Sequence, residues 1–234
     1  MVDRGVILAQ LALKVAGTPA EEPLVRRLCQ ACVDILDVHG VALTIGYTTE
    51  DRVTVCTTDP TAARLEDLQE VLGEGPGPDA SKEGHRVSGR LPSAEGRWPL
   101  LSEPVGSQLG TVEVLALPLS VGADPMGVLT AYRDRPFSAE EQDVAQFVAD
   151  AIGAAIDRDQ DGTTDSPSEP WLARSRVHMA TGMVVAQLNV APRDALALIR
   201  AYAFAHDTSL SQVAEAIVAR QIRLHHDSEG QVNP

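Results

Sequence analysis

Val112-Glu-Val-Leu-Ala-Leu-Pro-Leu119 and Met126-Gly-Val-Leu-Thr-Ala-Tyr132 flank the turn Gly122-Ala-Asp-Pro125. Apolar runs of strand length bounded by Gly and Pro read as a strand pair. A second pair lies upstream, Val41-Ala-Leu-Thr-Ile-Gly-Tyr47 and Arg52-Val-Thr-Val-Cys-Thr-Thr58, joined by the polar residues Thr48 to Asp51 and closed by Pro60. Two such hairpins predict a largely antiparallel sheet.

Helical patterns surround these strands. Thr18-Pro19-Ala20-Glu21 has the hydroxyl, proline and glutamate of a helix start. The stripe Leu24, Leu28, Cys32, Ile35 and Leu36 then continues to about His39-Gly40. Residues 62 to 72 return to helical period and stop at Leu72-Gly-Glu-Gly-Pro-Gly-Pro-Asp-Ala80, where the glycines and prolines predict a loop. Residues 84 to 110 read as irregular. Ser138-Ala-Glu-Glu141 is a capping box opening a helix striped by Val144, Val148, Ala151, Ile152 and Ala155.

Residues 157 to 170 carry no large apolar side chain before Trp171, a composition that cannot offset its own ordering entropy and reads as a linker. Three helical segments follow without strand signal. They span about Trp171 to Leu188, Pro192 to His206-Asp207, and a third opened by the capping box Ser209-Leu-Ser-Gln212. On the third, Leu210, Val213, Ala214, Ile217 and Val218 share one face. The predicted class is α+β, an antiparallel sheet flanked by helices, followed by a small all-α three-helix bundle. The expected divisions are a partly helical extension at 1–19, a first domain at 20–156, a linker at 157–169, a second domain at 170–226 and a disordered tail at 227–234.

Charge divides along the same line. The 234 residues hold 19 Lys and Arg against 33 Asp and Glu, a formal charge of −14. Residues 166–234 hold six Arg against six Asp and Glu, so the whole excess sits in residues 1–165. Two units with different tasks are implied. Three cysteines, Cys29, Cys32 and Cys56, in apolar contexts fit a reducing cytosol better than a secreted disulfide framework. No run approaches the roughly 20 apolar residues of a membrane span, so a soluble cytoplasmic chain with no membrane partner is expected.

The helix, hairpins, glycine loop and closing helix of the first unit, with Leu72-Gly-Glu-Gly-Pro76, Ala116-Leu-Pro-Leu119 and Gly127-Val-Leu129, resemble a GAF domain. The last seventy residues resemble an ANTAR domain, an RNA-binding antitermination module. The matching positions are Ala180-Thr181-Gly182, then Ala195, Leu198, Ile199, Arg200, Tyr202 and Ala203, then Leu210, Val213 and Ala214. Thr181 stands where that family usually carries a basic residue, and Thr208 and Ser209 where further cations are common. Phosphate neutralisation supplies much of the affinity for nucleic acid, so the remaining donors matter more.

The resemblance implies a transcription antitermination regulator that binds paired stem-loops in nascent RNA. The GAF domain would serve as sensor, dimerisation platform or both. RNA-contacting candidates are Arg174, Arg176, His178, Thr181, Arg193, Arg200, His206 and Ser209, with Arg220 and Arg223 as further cations. Structured RNA and a second copy of the chain are the expected partners, RNA polymerase being engaged only indirectly. The homodimer is assigned to helices 20–39 and 138–156, whose stripes are wider than one sheet face needs. A small ligand in the GAF pocket is allowed, and no cofactor is assigned. The alternative is a GAF dimerisation scaffold whose helical bundle docks protein or DNA.

Other features have competing readings. Cys29-Gln-Ala-Cys32 has metal-like spacing, yet no second Cys/His pair answers it, which favours core filling. His225-His226 suggests adventitious metal binding or a frayed end. Ala180, Gly182 and Ala186 form a small-residue track suited to a close helix crossing. Arg200, beside the inward-facing Ala195, Ile199 and Tyr202, is a solvated or ion-paired residue on its own merits and an RNA contact by family. No nucleophile and base set, zinc signature or spaced carboxylate pair is visible, so the chain is not expected to be an enzyme and no metal or catalytic residue is assigned.

Overall fold

The computed structural model describes residues 3–46, 52–121, 124–161, 169–206, 208–226 and 232–233. They divide into two compact units, Met1–Pro170 and Trp171–Pro234. The hairpin tip at 47–51, the turn residues 122–123, the centre of the expected linker at 162–168, and 227–231 and 234 of the expected disordered tail lie outside the described residues.

The first unit is built on five antiparallel strands: β1 (Gly40–Ile45), β2 (Val53–Thr57), β3 (Val87–Leu91), β4 (Val112–Val121) and β5 (Asp124–Arg133), in the order β2-β1-β5-β4-β3. The β4–β5 hairpin pairs Val114 with Tyr132, Leu117 with Leu129 and Leu119 with Gly127. β1 lies against the far edge of β5, Gly40 facing Tyr132 and Ile45 facing Gly127. That register leaves no room at Gly127, where a Cβ would fall 2.1 Å from the Thr44 carbonyl oxygen.

Every residue of β1 is buried. Its apolar run is continuous because both sheet faces are covered. One face, through Val41, Leu43, Leu115, Leu117, Leu119, Leu129 and Ala131, packs under α2 (Leu24–Leu36) and α6 (Ala139–Asp161), and α1 (Arg4–Ala16) packs on those two helices. The other, through Ala42, Val114, Ala116, Val128 and Tyr132, packs under α3 (Pro60–Leu72), α4 (Pro76–Glu83) and α5 (Pro99–Gln108).

Several elements differ from the sequence expectation. Thr18-Pro19 precedes a short turn, and α2 begins only at Leu24 after Pro23. The glycine segment contains α4, because a proline can occupy the first helical turn, where its missing N–H is not needed. Gly75 precedes Pro76, and the helix stops at the left-handed Gly84. Residues 84–110, read as irregular, supply β3 and α5. α5 lacks a local cap, and the distant Glu74 Oε2 accepts from the N–H groups of Leu100 and Leu101 at 2.7 and 3.1 Å. α6 extends to Asp161, so 157–161 of the segment read as linker is helical. In the tail, Val232–Asn233 (β7) pairs with His225–His226 (β6).

The second unit consists of α7 (Glu169–Leu188), α8 (Pro192–Ala205) and α9 (Leu210–Val218), with β6 and β7 after them. Its core is Val177, Ala180, Val184 and Leu188 from α7, Ala195, Ile199 and Ala203 from α8, and Leu210, Val213, Ala214 and Ile217 from α9.

Candidate nucleic-acid interface

The inward line of α7 recurs at Val177, Ala180, Val184 and Leu188, which turns Arg176 and His178 outward on its flanks; both are exposed. Arg174 falls on the same helix, and its side chain lies outside the described set. Arg193 and Arg200 are seven residues apart on α8 and share one strip. Arg193 is exposed, with Nε 3.5 Å from Asp194 Oδ1. Arg200 is half-buried and its Nε is shielded from solvent. Tyr202 is half-buried, and Ala203 takes the inward place beside Ala195 and Ile199.

Three of the expected polar contacts have local partners. The Thr181 hydroxyl donates to the Val177 carbonyl at 2.8 Å. Ser209 caps α9: its Oγ accepts from the Gln212 N–H at 3.2 Å, and Gln212 Oε1 accepts from the Ser209 N–H at 3.1 Å. His206 Nδ1 lies 2.9 Å from the Tyr202 carbonyl. A carbonyl only accepts, so Nδ1 is the donor in this contact. The ring stacks on Tyr202, centroids 3.9 Å apart. The hydroxyls of Thr181 and Ser209 are thus engaged within the fold, and the exposed candidates among the described residues are Arg176, His178, Arg193 and His206, with Arg200 at the margin.

Gly182 reverses the sequence expectation. A Cβ there would meet nothing within 4 Å, and both Gly182 and Ala186 are exposed, so among the described residues no helix crosses at Gly182. Arg220 and Arg223, beyond α9, are exposed and border a cleft of about 650 Å³ with Met183, Ala186, Gln187, Leu188 and Leu224.

In the first unit, the glycine segment closes on a buried polar cluster. Arg52 Nη2 lies 3.4 Å from Glu66 Oε2, the two side chains being 6% and 1% exposed. Gln69 Nε2 donates to Glu66 Oε1 at 2.8 Å and Gln69 Oε1 accepts from the Gly77 N–H at 2.8 Å. Arg52 Nε and Nη2 donate to Thr44 Oγ1. Burial pushes the Glu66 carboxyl up, against the pull of Arg52. The glycine loop is thus an internal clasp: Gly77 spends its N–H on Gln69, and a Cβ there would approach Arg52 to 2.9 Å.

Cys29 and Cys32 are buried in α2, in the core. The Cys56 thiol beside it, with burial, pushes Cys29 up, and burial pushes Cys32 up. Protonated thiols are poor ligands and nucleophiles. No group of three or more His, Cys, Asp or Glu suited to a metal occurs among the described residues. No helix among them is long and apolar enough to cross a membrane.

An antiparallel sheet between helical layers, coupled in sequence to a cation-bearing three-helix unit, defines a two-module protein. The GAF domain family model matches residues 19–157, more than half of the chain, and the ANTAR domain model matches residues 172–218. The chain belongs to the GAF family and carries the GAF-ANTAR architecture. Among solved structures it is similar to the GAF domain of an Acinetobacter phosphoenolpyruvate-protein phosphotransferase, at 12% identity and a TM-score of 0.47 over 71% of this chain and 100% of that one. It is also similar to the A. aeolicus nlh2 GAF domain in an inactive state, at 14% identity and 0.46 over 67% and 96%. A GAF domain from a Coxiella burnetii phosphoenolpyruvate-protein phosphotransferase gives 17% and 0.45 over 66% and 93%. No curated protein matches the sequence.

Proposed function

We propose that the chain is a cytoplasmic, non-enzymatic antitermination regulator whose ANTAR helices bind paired stem-loops in nascent RNA. A stabilised stem-loop competes with a terminator, so transcription continues and the polymerase is affected through the RNA alone. The GAF unit acts as sensor, dimerisation platform or both. The observation carrying this reading is the match of the ANTAR model to residues 172–218, helices whose outward side chains include Arg176, His178 and Arg193. Arg suits RNA because its planar fork pairs with phosphate and stacks on bases.

DNA docking is less well supported. A helix-turn-helix reader presents base-contacting side chains near the start of its recognition helix, whereas at the start of α9 Leu210 is buried and Ser209 and Gln212 are engaged in the capping box. The test compares binding of the full chain to RNA hairpins and to duplex DNA of matched length across a salt series. Hairpin preference with a steep salt slope is expected. Equal affinity for the two would sink the proposal.

A further inference from the structure

Helix α9 ends in a Schellman turn. The Arg220 N–H donates to the Ile217 carbonyl at 2.9 Å and the Gln221 N–H to the Ala216 carbonyl at 2.8 Å, the two bonds that close this motif. Its left-handed position, φ 59°, is held by Arg220, where glycine is the favoured residue. An arginine here costs backbone stability. It places a cation at the mouth of the cleft formed with Met183, Ala186, Gln187, Leu188, Arg223 and Leu224. Neither Arg220 nor Arg223 is paired with a carboxylate among the described residues. Both lie outside the segment matched by the ANTAR model, which ends at residue 218.

The cleft lies along the same helix as the outward Arg176. Arg176, Met183 and Gln187 are spaced by seven and four residues, so they lie along one side of α7, Arg176 about 10 Å from Met183 at 1.5 Å per residue. An apolar patch with one amide and two guanidiniums at its rim matches the chemistry of an unstacked nucleotide: an apolar face, a hydrogen-bonding edge and a phosphate. The volume of about 650 Å³ falls in the range of small-molecule sites.

We infer that this cleft seats one unstacked loop nucleotide of the RNA. Its base lies against Met183 and Ala186, above the buried Leu188 and Leu224, the Gln187 amide faces the base edge, and Arg220 and Arg223 hold the adjacent phosphates. Arg176 continues the backbone path along α7. The inference rests on the RNA-binding reading above and adds the residues beyond the ANTAR match.

The probe is an RNA hairpin selected on the full chain from a pool with a fixed stem and a randomised loop. Arg220→Gly should weaken binding about tenfold or more while the melting temperature holds or rises, since glycine relaxes the left-handed turn. Arg223→Ala should weaken binding comparably, and Arg90→Ala, an exposed cation of the first unit, should not. Removing the base of one loop nucleotide should weaken the wild type and leave Met183→Ala little further to lose. Tight wild-type binding that survives both Arg220→Gly and Arg223→Ala overturns the cleft and leaves the RNA-binding reading standing. A wild type that selects no hairpin overturns both. Displacement of the hairpin by free nucleoside monophosphates, or capture of acidic peptides in place of hairpins, overturns the nucleotide-in-loop assignment.

Discussion

Arg52 and Glu66 form a buried ion pair in which Thr44 accepts from the guanidinium and Gln69 donates to the carboxylate. A pair of this kind is weak evidence of stabilisation, but removing one partner strands the other charge. Glu66→Ala should therefore cost about 3 to 5 kcal/mol in urea unfolding. Arg52→Met with Glu66→Leu together should recover much of that loss, since apolar side chains replace the pair without orphaning a charge. The sequence placed Glu66 on a helix, but nothing in its spacing showed that an arginine across the sheet would turn inward to meet it; that pairing is a product of tertiary structure. On α8, Arg193→Ala should change stability by less than about 0.5 kcal/mol, as at an ordinary surface site. Ile199→Ala should cost about 2 to 5 kcal/mol through lost transfer energy and a cavity. A parallel loss of RNA affinity and stability in Arg193→Ala would make its role structural.

At the scale of elements, the α6 start gives a pH prediction. Glu141 Oε2 accepts from Arg133 Nη2 at 2.7 Å and from the Ser138 N–H at 2.8 Å, and Oε1 accepts from Arg135 Nη1 at 2.8 Å. The Arg133 hydrogen bond comes first in holding the Glu141 carboxyl far below the usual carboxylate range. A depressed folded-state pKa stabilises fully above the unfolded value and is lost as pH falls through the folded value. The stability difference between wild type and Glu141→Gln should stay constant from neutral pH to near the unfolded pKa of about 4.3 and shrink steadily below it. A pH-independent difference would contradict the shift. On α7, Gly182 is exposed with open space around its Cβ position, so Gly182→Ala should raise stability by about 0.5 to 1 kcal/mol in thermal unfolding. Both capping boxes were legible because they are local, as were the two long hairpin strands. α4, β3 and α5 were not: proline in a first helical turn and a cap borrowed from Glu74 leave no periodic signal.

For the whole molecule, charge and oligomeric state bear on each other. The first unit carries the acidic excess, which would repel an RNA backbone, so under the proposed function recognition would fall to a neutral unit with few outward arginines. One such unit on one stem-loop offers limited affinity; two tethered units on paired stem-loops gain through effective concentration. The stripes on α2 and α6 that suggested a dimer surface are partly filled by this chain itself, because Ile7 and Leu11 of α1 are buried in the same core. What α1 leaves outward is Val6 at 50%, Leu8 at 45% and Leu13 at 72% exposure. Val6 and Leu13, seven residues apart, lie on one strip, and this exposed apolar strip would add α1 to the self-contact expected of α2 and α6. The wild type should therefore have the mass of a dimer in light scattering at roughly tens of micromolar. Leu13→Glu should yield a monomer with an unchanged melting temperature, because the replaced side chain is already in solvent. Its affinity for an RNA carrying two hairpins should fall towards its affinity for one, while single-hairpin binding stays at the wild-type level. A monomeric wild type that still prefers the two-hairpin RNA would sink the dimer and leave recognition of both stems to a single ANTAR unit.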